Sequence, residues 1–324
     1  MSVRIVIWIF TIIWSISSLF ATSWAQTYPT KPVRVVVGFS AGSGADTVAR
    51  IFAPGLSAAF GQQVIVENRS GAAGNIGAEV VARAAPDGYT LFQASMTHAV
   101  NANLYKNLAY DLVRDFAAIT ELVTAPYVVV VHPSLPAKSI SQLVKLAQSR
   151  PGVINYASAG AGSATFLAAE QFKNVAGVNL MHVPYRGGNE AMTSVISGET
   201  SVYFPSVGAA LPHITQTRLR ALAVTTKKRV AQIPELPTVA ESGYPTYEAS
   251  NWYGLVAPAK TPRPILSAIH AAAVSAISNP DVVKLMNELG YVAVLSQPEE
   301  FAAHIKSEVP RLGKFIREAG ITAQ

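Results

Sequence analysis

The sequence predicts an α/β protein of two lobes, each built on a helix-covered sheet. Short apolar runs alternate with stretches of helical periodicity. That alternation runs once and then restarts near Pro126. Beyond the strand-like "NWYGLVAPA" the C-terminal stretch reads as helix alone.

Residues 33–37 are all valine or arginine and form the first strand. Val48, Ile51, Phe52, Leu56 and Phe60 follow at helical spacing, and Pro54 is expected to kink or divide that helix. Residues 64–66 are the second strand. Glycine-rich "NRSGAAGNIGAEVVARA" leads into another helix, "PDG" at 86–88 is a turn, and 89–94 is the third strand. In the second unit, 127–131 is a continuous apolar strand. Ser139 starts a helix carrying Leu143, Val144 and Ala147, which Pro151-Gly152 stops. Residues 155–159 form a strand, followed by a second small-residue turn and a helix with Ala168, Phe172, Val175 and Ala176 on one face. Strands at 180–183, 202–204 and 220–224 complete the unit. Helices at 265–278, 282–289 and 299–318 close the chain and are expected to return over the first lobe. The chain then crosses between lobes twice, near Pro126 and near Trp252, which makes a hinge. The expected division is 26–125 plus 253–324 for one lobe and 126–252 for the other.

With 324 residues, 50% hydrophobic and 14% charged, the chain is globular and long enough for two domains. Its net charge of +6 comes without a run of lysines or arginines, so nothing tracks a nucleic-acid backbone. The absence of cysteine excludes disulfides, thiolate metal sites, a cysteine nucleophile and an N-terminal lipidated cysteine. Arg4 is the only charge before Lys31, residues 5–16 are almost wholly apolar, and Ser23-Trp24-Ala25 is a small-x-small triplet. Residues 1–25 therefore read as a secretory signal cleaved after Ala25, with an uncleaved anchor as the rival. An exported chain without cysteine belongs in a bacterial periplasm.

Two glycine-rich turns carry the functional reading. Ser40, Ala41, Gly42, Ser43, Gly44 and Ala45 follow the first strand, and Ser158, Ala159, Gly160, Ala161, Gly162 and Ser163 follow a strand of the second unit. Each turn opens a helix, whose first N–H groups are unpaired and carry partial positive charge. Small side chains let an anion approach those groups, so each turn is a candidate anion cradle. Ser43 and Asp46 match a capping box, which gives Asp46 a structural role. A dinucleotide site is disfavoured: Glu67 stands where a ribose-binding acid would, but the glycines at 38, 42 and 44 give G-x-x-x-G-x-G. No G-x-S-x-G, Walker loop or H-E-x-x-H occurs, and His98, His132 and His182 read as structural. No cofactor, metal or catalytic group is expected.

These turns, with "VENRSGAAGNIGAEVVARAAPDGYTL", "THAVNANLY", "NYASAGAGSATFLAAEQF", "HVPYRGGNEA" and "WYGLVAPAKTP", closely resemble the periplasmic receptors of tripartite tricarboxylate transporters, the Bug proteins. The resemblance covers nearly the whole chain after the leader. It implies a two-lobed Venus-flytrap fold of the type II periplasmic-binding class, with two mixed sheets and a hinge of two crossover strands. It implies a monomeric, non-enzymatic receptor that captures a small organic anion and delivers it to membrane permease subunits. An exported hydrolase using the same cleft and a carboxylate sensor for a signalling partner are the alternatives. Carried onto this chain, the ligand contacts are Phe39, Ser40, Ala41, Gly42, Ser43 and Thr97 in the first lobe. In the second lobe they are Ala159, Ala161, Gly162 and Ser163, with Tyr185 and Phe204 as wall residues; read from this sequence alone, Phe166 either lines the site or fills core, and Arg186 is a solvated loop charge or a partner for a distal carboxylate. Three departures stand out. Ser40-Ala41-Gly42 replaces Pro-Gly-Gly, Phe166-Leu167 replaces His-Leu, and Pro205 replaces an aspartate. Loss of that acid and gain of an aromatic favour a dicarboxylate first and an aromatic carboxylate second, over an amino acid.

Overall fold

The computed structural model describes residues 28–185 and 187–321, so the predicted leader and Arg186 lie outside the described residues. The first lobe opens with β1 (Val33–Val37), α1 (Gly44–Phe60), β2 (Val64–Asn68), α2 (Asn75–Ala82), β3 (Thr90–Ser95), α3 (Met96–Leu104) and β4 (Phe116–Pro126). The second contains β5 (Val128–Val131), α4 (Ile140–Ser149), β6 (Asn155–Ser158), α5 (Ala164–Ala176), β7 (Met181–Pro184), α6 (Gly188–Ser197), β8 (Val202–Tyr203), α7 (Val207–Thr215) and β9 (Arg220–Val224). The chain returns with β10 (Ser250–Pro258), α8 (Arg263–Ala276), α9 (Pro280–Glu288), β11 (Val292–Ala293) and α10 (Pro298–Glu318).

Two mixed sheets result: six strands in the order β11-β4-β10-β3-β1-β2, and five in the order β7-β6-β8-β5-β9. β1 pairs in parallel with both β2 and β3, which explains its nearly unbroken valines, since both faces are covered. β10 runs antiparallel between β3 and β4. β5 lies antiparallel between β8 and β9. The parallel strands place the loops after β1, β2 and β3 at one end of the first sheet, where ligands bind in open α/β sheets.

Several elements depart from the sequence reading. α1 continues through Pro54, whose side chain is exposed, because Val48, Ile51, Phe52 and Leu56 hold both halves on the sheet. Gly55 lets α8 approach closely: a Cβ there would lie 2.5 Å from the Ala276 Cβ. α3 and β4 were not foreseen. β4 breaks its apolar pattern at Thr120 and Glu121, and distant partners satisfy both: Thr120 donates to the Ser296 carbonyl at 2.9 Å, and His304 Nδ1 lies 2.7 Å from Glu121. The C-terminal helices pack on the first sheet's side, α8 on α1 and α10 on α3 and β4. Among the described residues no helix is long and apolar enough to cross a membrane.

The two sheets connect through Tyr127, between β4 and β5, and through the segment that enters β10. Thr225 joins both passages. Its N–H donates to the Tyr127 carbonyl at 3.0 Å, and its hydroxyl accepts from the Tyr127 N–H at 3.0 Å and donates to the Ala249 carbonyl at 2.6 Å. One apolar cluster runs from Val36, Phe92 and Leu104 of the first lobe to Tyr156, Leu167 and Phe172 of the second.

Candidate functional site

The first turn leaves β1 at its carboxyl end and tightens at Gly42, whose φ of 79° favours glycine. Ser43 caps α1 with extended backbone, φ −70° and ψ 161°, and its hydroxyl accepts from the Asp46 N–H at 3.2 Å. The Ser43 N–H donates to the Ser40 carbonyl at 3.1 Å.

The second turn repeats this backbone. Gly162 has φ 77°, and Ser163 caps α5 with φ −67° and ψ 157°. The Ser163 hydroxyl accepts from the Phe166 N–H at 3.2 Å, and its N–H donates to the Gly160 carbonyl at 3.1 Å. The shared Ala-Gly-Ser, at 41–43 and 161–163, thus folds into the same cap twice, once per lobe.

The side chains then diverge. Asp46 is 3% exposed. Its carboxylate does not turn back to Ser43, as a full capping box requires, but accepts the Gly42 N–H at 2.9 Å. It also accepts from Arg50 Nε at 2.9 Å and from Asn68 Nδ2 at 2.9 Å. Burial works against its charge, but the bonds from Arg50, Gly42 and Asn68 prevail and hold the carboxyl below the usual range. Asn68 also donates to the Phe39 carbonyl at 2.9 Å, which ties the turn's entry to the same carboxylate. In the second turn Phe166 stands at the equivalent helical position. There the hydroxyls organise the loop: the Ala159 N–H donates to Thr165 Oγ1 at 3.0 Å and the Gly160 N–H to Ser158 Oγ at 3.1 Å. Ser158 Oγ lies 2.7 Å from His182 Nε2. Among the described residues the N–H groups of Ser40, Ala41 and Gly44 have no partner, nor do those of Ala161, Gly162 and Ala164.

A phenylalanine–histidine contact flanks each turn. Phe39 meets His98 edge-on at 5.8 Å, and Phe166 lies over His182 at 4.7 Å. His98 is fully buried; its Nδ1 accepts the Ser95 N–H at 3.0 Å and burial pushes its imidazole down to about 4. Burial also lowers His182. α3 relates the two turns. His98 at its start touches Phe39, while a Cβ at Gly162 would lie 3.0 Å from the Leu104 Cδ1 at its end. Six residues of helix, about 9 Å, separate those contacts.

Ser40, Ala41 and Gly42 are exposed, and Phe39, Ser43, Thr97, Ala159, Gly162 and Ser163 are half-buried beside exposed Ala161. Tyr185 follows β7 against the second turn, its N–H donating to the Ser158 carbonyl at 3.0 Å. Its hydroxyl is buried without a protein partner among the described residues. Phe166, at 8% exposure, and Phe204, at 0%, are core side chains; Phe204 packs on Phe172 at 5.6 Å. Phe166 therefore supplies no aromatic wall in this arrangement, and the argument for an aromatic ligand loses that support. Sequence reading missed Thr165 and Asn68, although a hydroxyl two residues past a serine cap is a local signal for the first.

A cavity of about 560 Å³ opens beside the crossing strands, and its lining includes none of the predicted site residues. Four of its charged side chains pair, His304 with Glu121 and Arg311 with Glu308, while Lys227 donates to the Pro245 carbonyl. Among the described residues no cluster of histidines and acids could hold a metal ion.

Comparison with known proteins identifies the family and the fold. The profile of the tripartite tricarboxylate transporter family receptor matches residues 48–321. A relative described as the UPF0065 protein in the tcbD-tcbE intergenic region of Pseudomonas sp. strain P51 is 38% identical, with 92% of this chain and 89% of the relative covered. Protein BugT of Bordetella pertussis is 32% identical over 91% of each chain. Among solved structures, R. palustris Rpa4515 with adipate superposes with a TM-score of 0.83 at 32% identity, covering 92% of this chain and all of that one. The periplasmic binding protein BugD gives 0.81 at 33%, with 92% and 100% covered. MatC of Rhodopseudomonas palustris with bound malate gives 0.79 at 28%, with 89% and 100% covered. The fold is the two-lobed periplasmic-binding architecture, and the relatives are solute-binding receptors rather than enzymes. The chain belongs to the tripartite tricarboxylate transporter receptor family.

Proposed function

We propose that this chain is a periplasmic receptor that captures a small dicarboxylate between its lobes and delivers it, as a monomer, to the permease subunits of a tripartite tricarboxylate transporter. Residues 26–125 with 253–324 form one lobe and 126–252 the other. One observation carries the reading: two helix N-termini, one per lobe, present unpaired amides on the same glycine-serine backbone. Such amides favour carboxylate oxygen, and two of them suit a ligand with an anionic group at each end. Phe39, Ser40, Ala41, Ser43 and Thr97 hold one carboxylate. Ala161, Gly162 and Ser163 hold the other, with the Tyr185 hydroxyl as an additional donor. The adipate and malate bound to relatives support this class of ligand. Pro205 leaves no carboxylate for a ligand amine at that position.

Thermal-shift titration tests the assignment, because a ligand bound only by the folded state raises the melting temperature with concentration. Adipate, malate and succinate are expected to stabilise more than aspartate or glutamate at equal concentration. The reverse order overturns the preference for an acid without an amine, and no stabilisation by any of the five overturns the dicarboxylate assignment. Native mass spectrometry of the purified protein checks the same point through any acid it retains.

A further inference from the structure

The lobes also meet where neither contributes a side chain. Gly208 is the second residue of α7, and the Leu289–Gly290 segment ends α9 in the first lobe. A Cβ at Gly208 would lie 1.8 Å from the Leu289 carbonyl oxygen and 2.4 Å from its carbon. From the other side, a Cβ at Gly290 would lie 2.7 Å from the Gly208 nitrogen and 3.2 Å from the Val207 Cβ. No other described glycine has a neighbour so close to its missing Cβ as Gly208.

Gly290 has φ 70°, a conformation that itself favours glycine. Gly208 has no such reason. Its backbone is not left-handed, and glycine is a poorer helix former than alanine. What glycine supplies at 208 is room for another backbone. The contact lies beside the hinge: Ser206 bridges to Tyr127, and the Val128 N–H donates to the Pro205 carbonyl at 2.9 Å. It lies on the cleft side of the hinge, because Tyr291, next to Gly290, reaches its hydroxyl to within 3.4 Å of the Gly44 carbonyl at the first turn. Bulk added so near the axis moves the distant turns further than it moves the contact itself.

We infer that Gly208 is a positioning residue for ligand capture: its bare backbone on Leu289–Gly290 lets the lobes close far enough for both turns to reach one ligand. This rests on the capture reading above. A methyl at 208 holds the lobes apart while leaving each lobe's own packing untouched.

The cysteine-free chain allows spin labels at Lys106→Cys and Asn189→Cys, two exposed positions on opposite lobes. Pulsed dipolar spectroscopy on the full chain then reads their separation without ligand. Gly208→Ala is expected to lengthen the mean distance relative to the labelled parent. It should also leave the unfolding temperature unchanged or higher, and weaken binding of the acid that best stabilises the parent, adipate or malate, by about tenfold. Gly290→Asn, which tolerates the left-handed backbone, adds bulk from the other lobe and gives the same lengthening if Gly208→Ala fails to fold. An unchanged distance in both variants overturns the inference. A lengthened distance in a protein that responds to no organic acid leaves the contact's role standing and overturns the capture reading instead.

Discussion

At the first turn the third helical residue is Asp46, and its carboxylate takes the Gly42 N–H; at the second it is Phe166, and the Gly162 N–H has no partner among the described residues. The backbones are otherwise alike to within a few degrees at glycine and serine. Backbone shape is thus set by glycine and the serine cap alone, and the third helical residue sets the electrostatics. Asp46 places a negative charge at the first helix start, which the helix dipole favours, and Arg50 balances it. The second turn keeps the partial positive charge of its helix start uncompensated, and like the first it leaves three amides free among the described residues. Its rigidity comes from neutral groups instead, Thr165 and the Ser158–His182 pair.

The strongest way to break this comparison is to make the second turn imitate the first. Phe166→Asp replaces a buried ring with a carboxylate that finds the free Gly162 N–H but no counterpart of Arg50, since Glu170 stands four residues on. It is expected to lower the unfolding free energy by about 4 kcal/mol or more. Urea unfolding measures this, and a loss below about 1 kcal/mol would mean that the turn tolerates either chemistry.

The next effect separates the histidines behind the turns. His98 titrates at about 4 in the folded protein, whereas an exposed histidine titrates near ~6.5. The unfolded chain therefore binds more protons between those two values. This contribution to stability is fully present above the unfolded value and is lost as pH falls through the folded one. By linkage the loss is about 3 kcal/mol. His182, lowered in the same direction but half-exposed, adds less. Melting temperatures from neutral pH downward should show a slope that His98→Gln flattens more than His182→Gln does; equal flattening refutes the distinction.

The smallest effect sharpens the likeness. Ser43→Ala and Ser163→Ala each remove one cap bond and are expected to cost about 1 kcal/mol apiece. Matching losses in chemical denaturation support equivalent caps. A markedly larger loss at Ser43 shows that the Asp46 network depends on it.

Both turns were legible in the sequence because glycine spacing and serine caps act over a few residues. The target of Asp46 was not, since a capping-box pattern sends the carboxylate to the wrong amide. Phe166 and Phe204 looked like wall residues because their burial is decided by elements far along the chain, Phe172 and His182 among them. β4 escaped for the same reason: Thr120 and Glu121 look like breaks until Ser296 and His304 return to meet them. The mixed character of the sheets was legible only through the family resemblance, because β10 enters between β3 and β4 after the second lobe is complete and no local pattern announces it.

Thr225 bonds to Tyr127 on one passage and to Ala249 on the other. A single hydroxyl therefore binds the two connecting threads side by side, so neither can swivel without dragging its neighbour. Twisting one half against the other must break those bonds, whereas bending both threads together, like a door on a pin, need not.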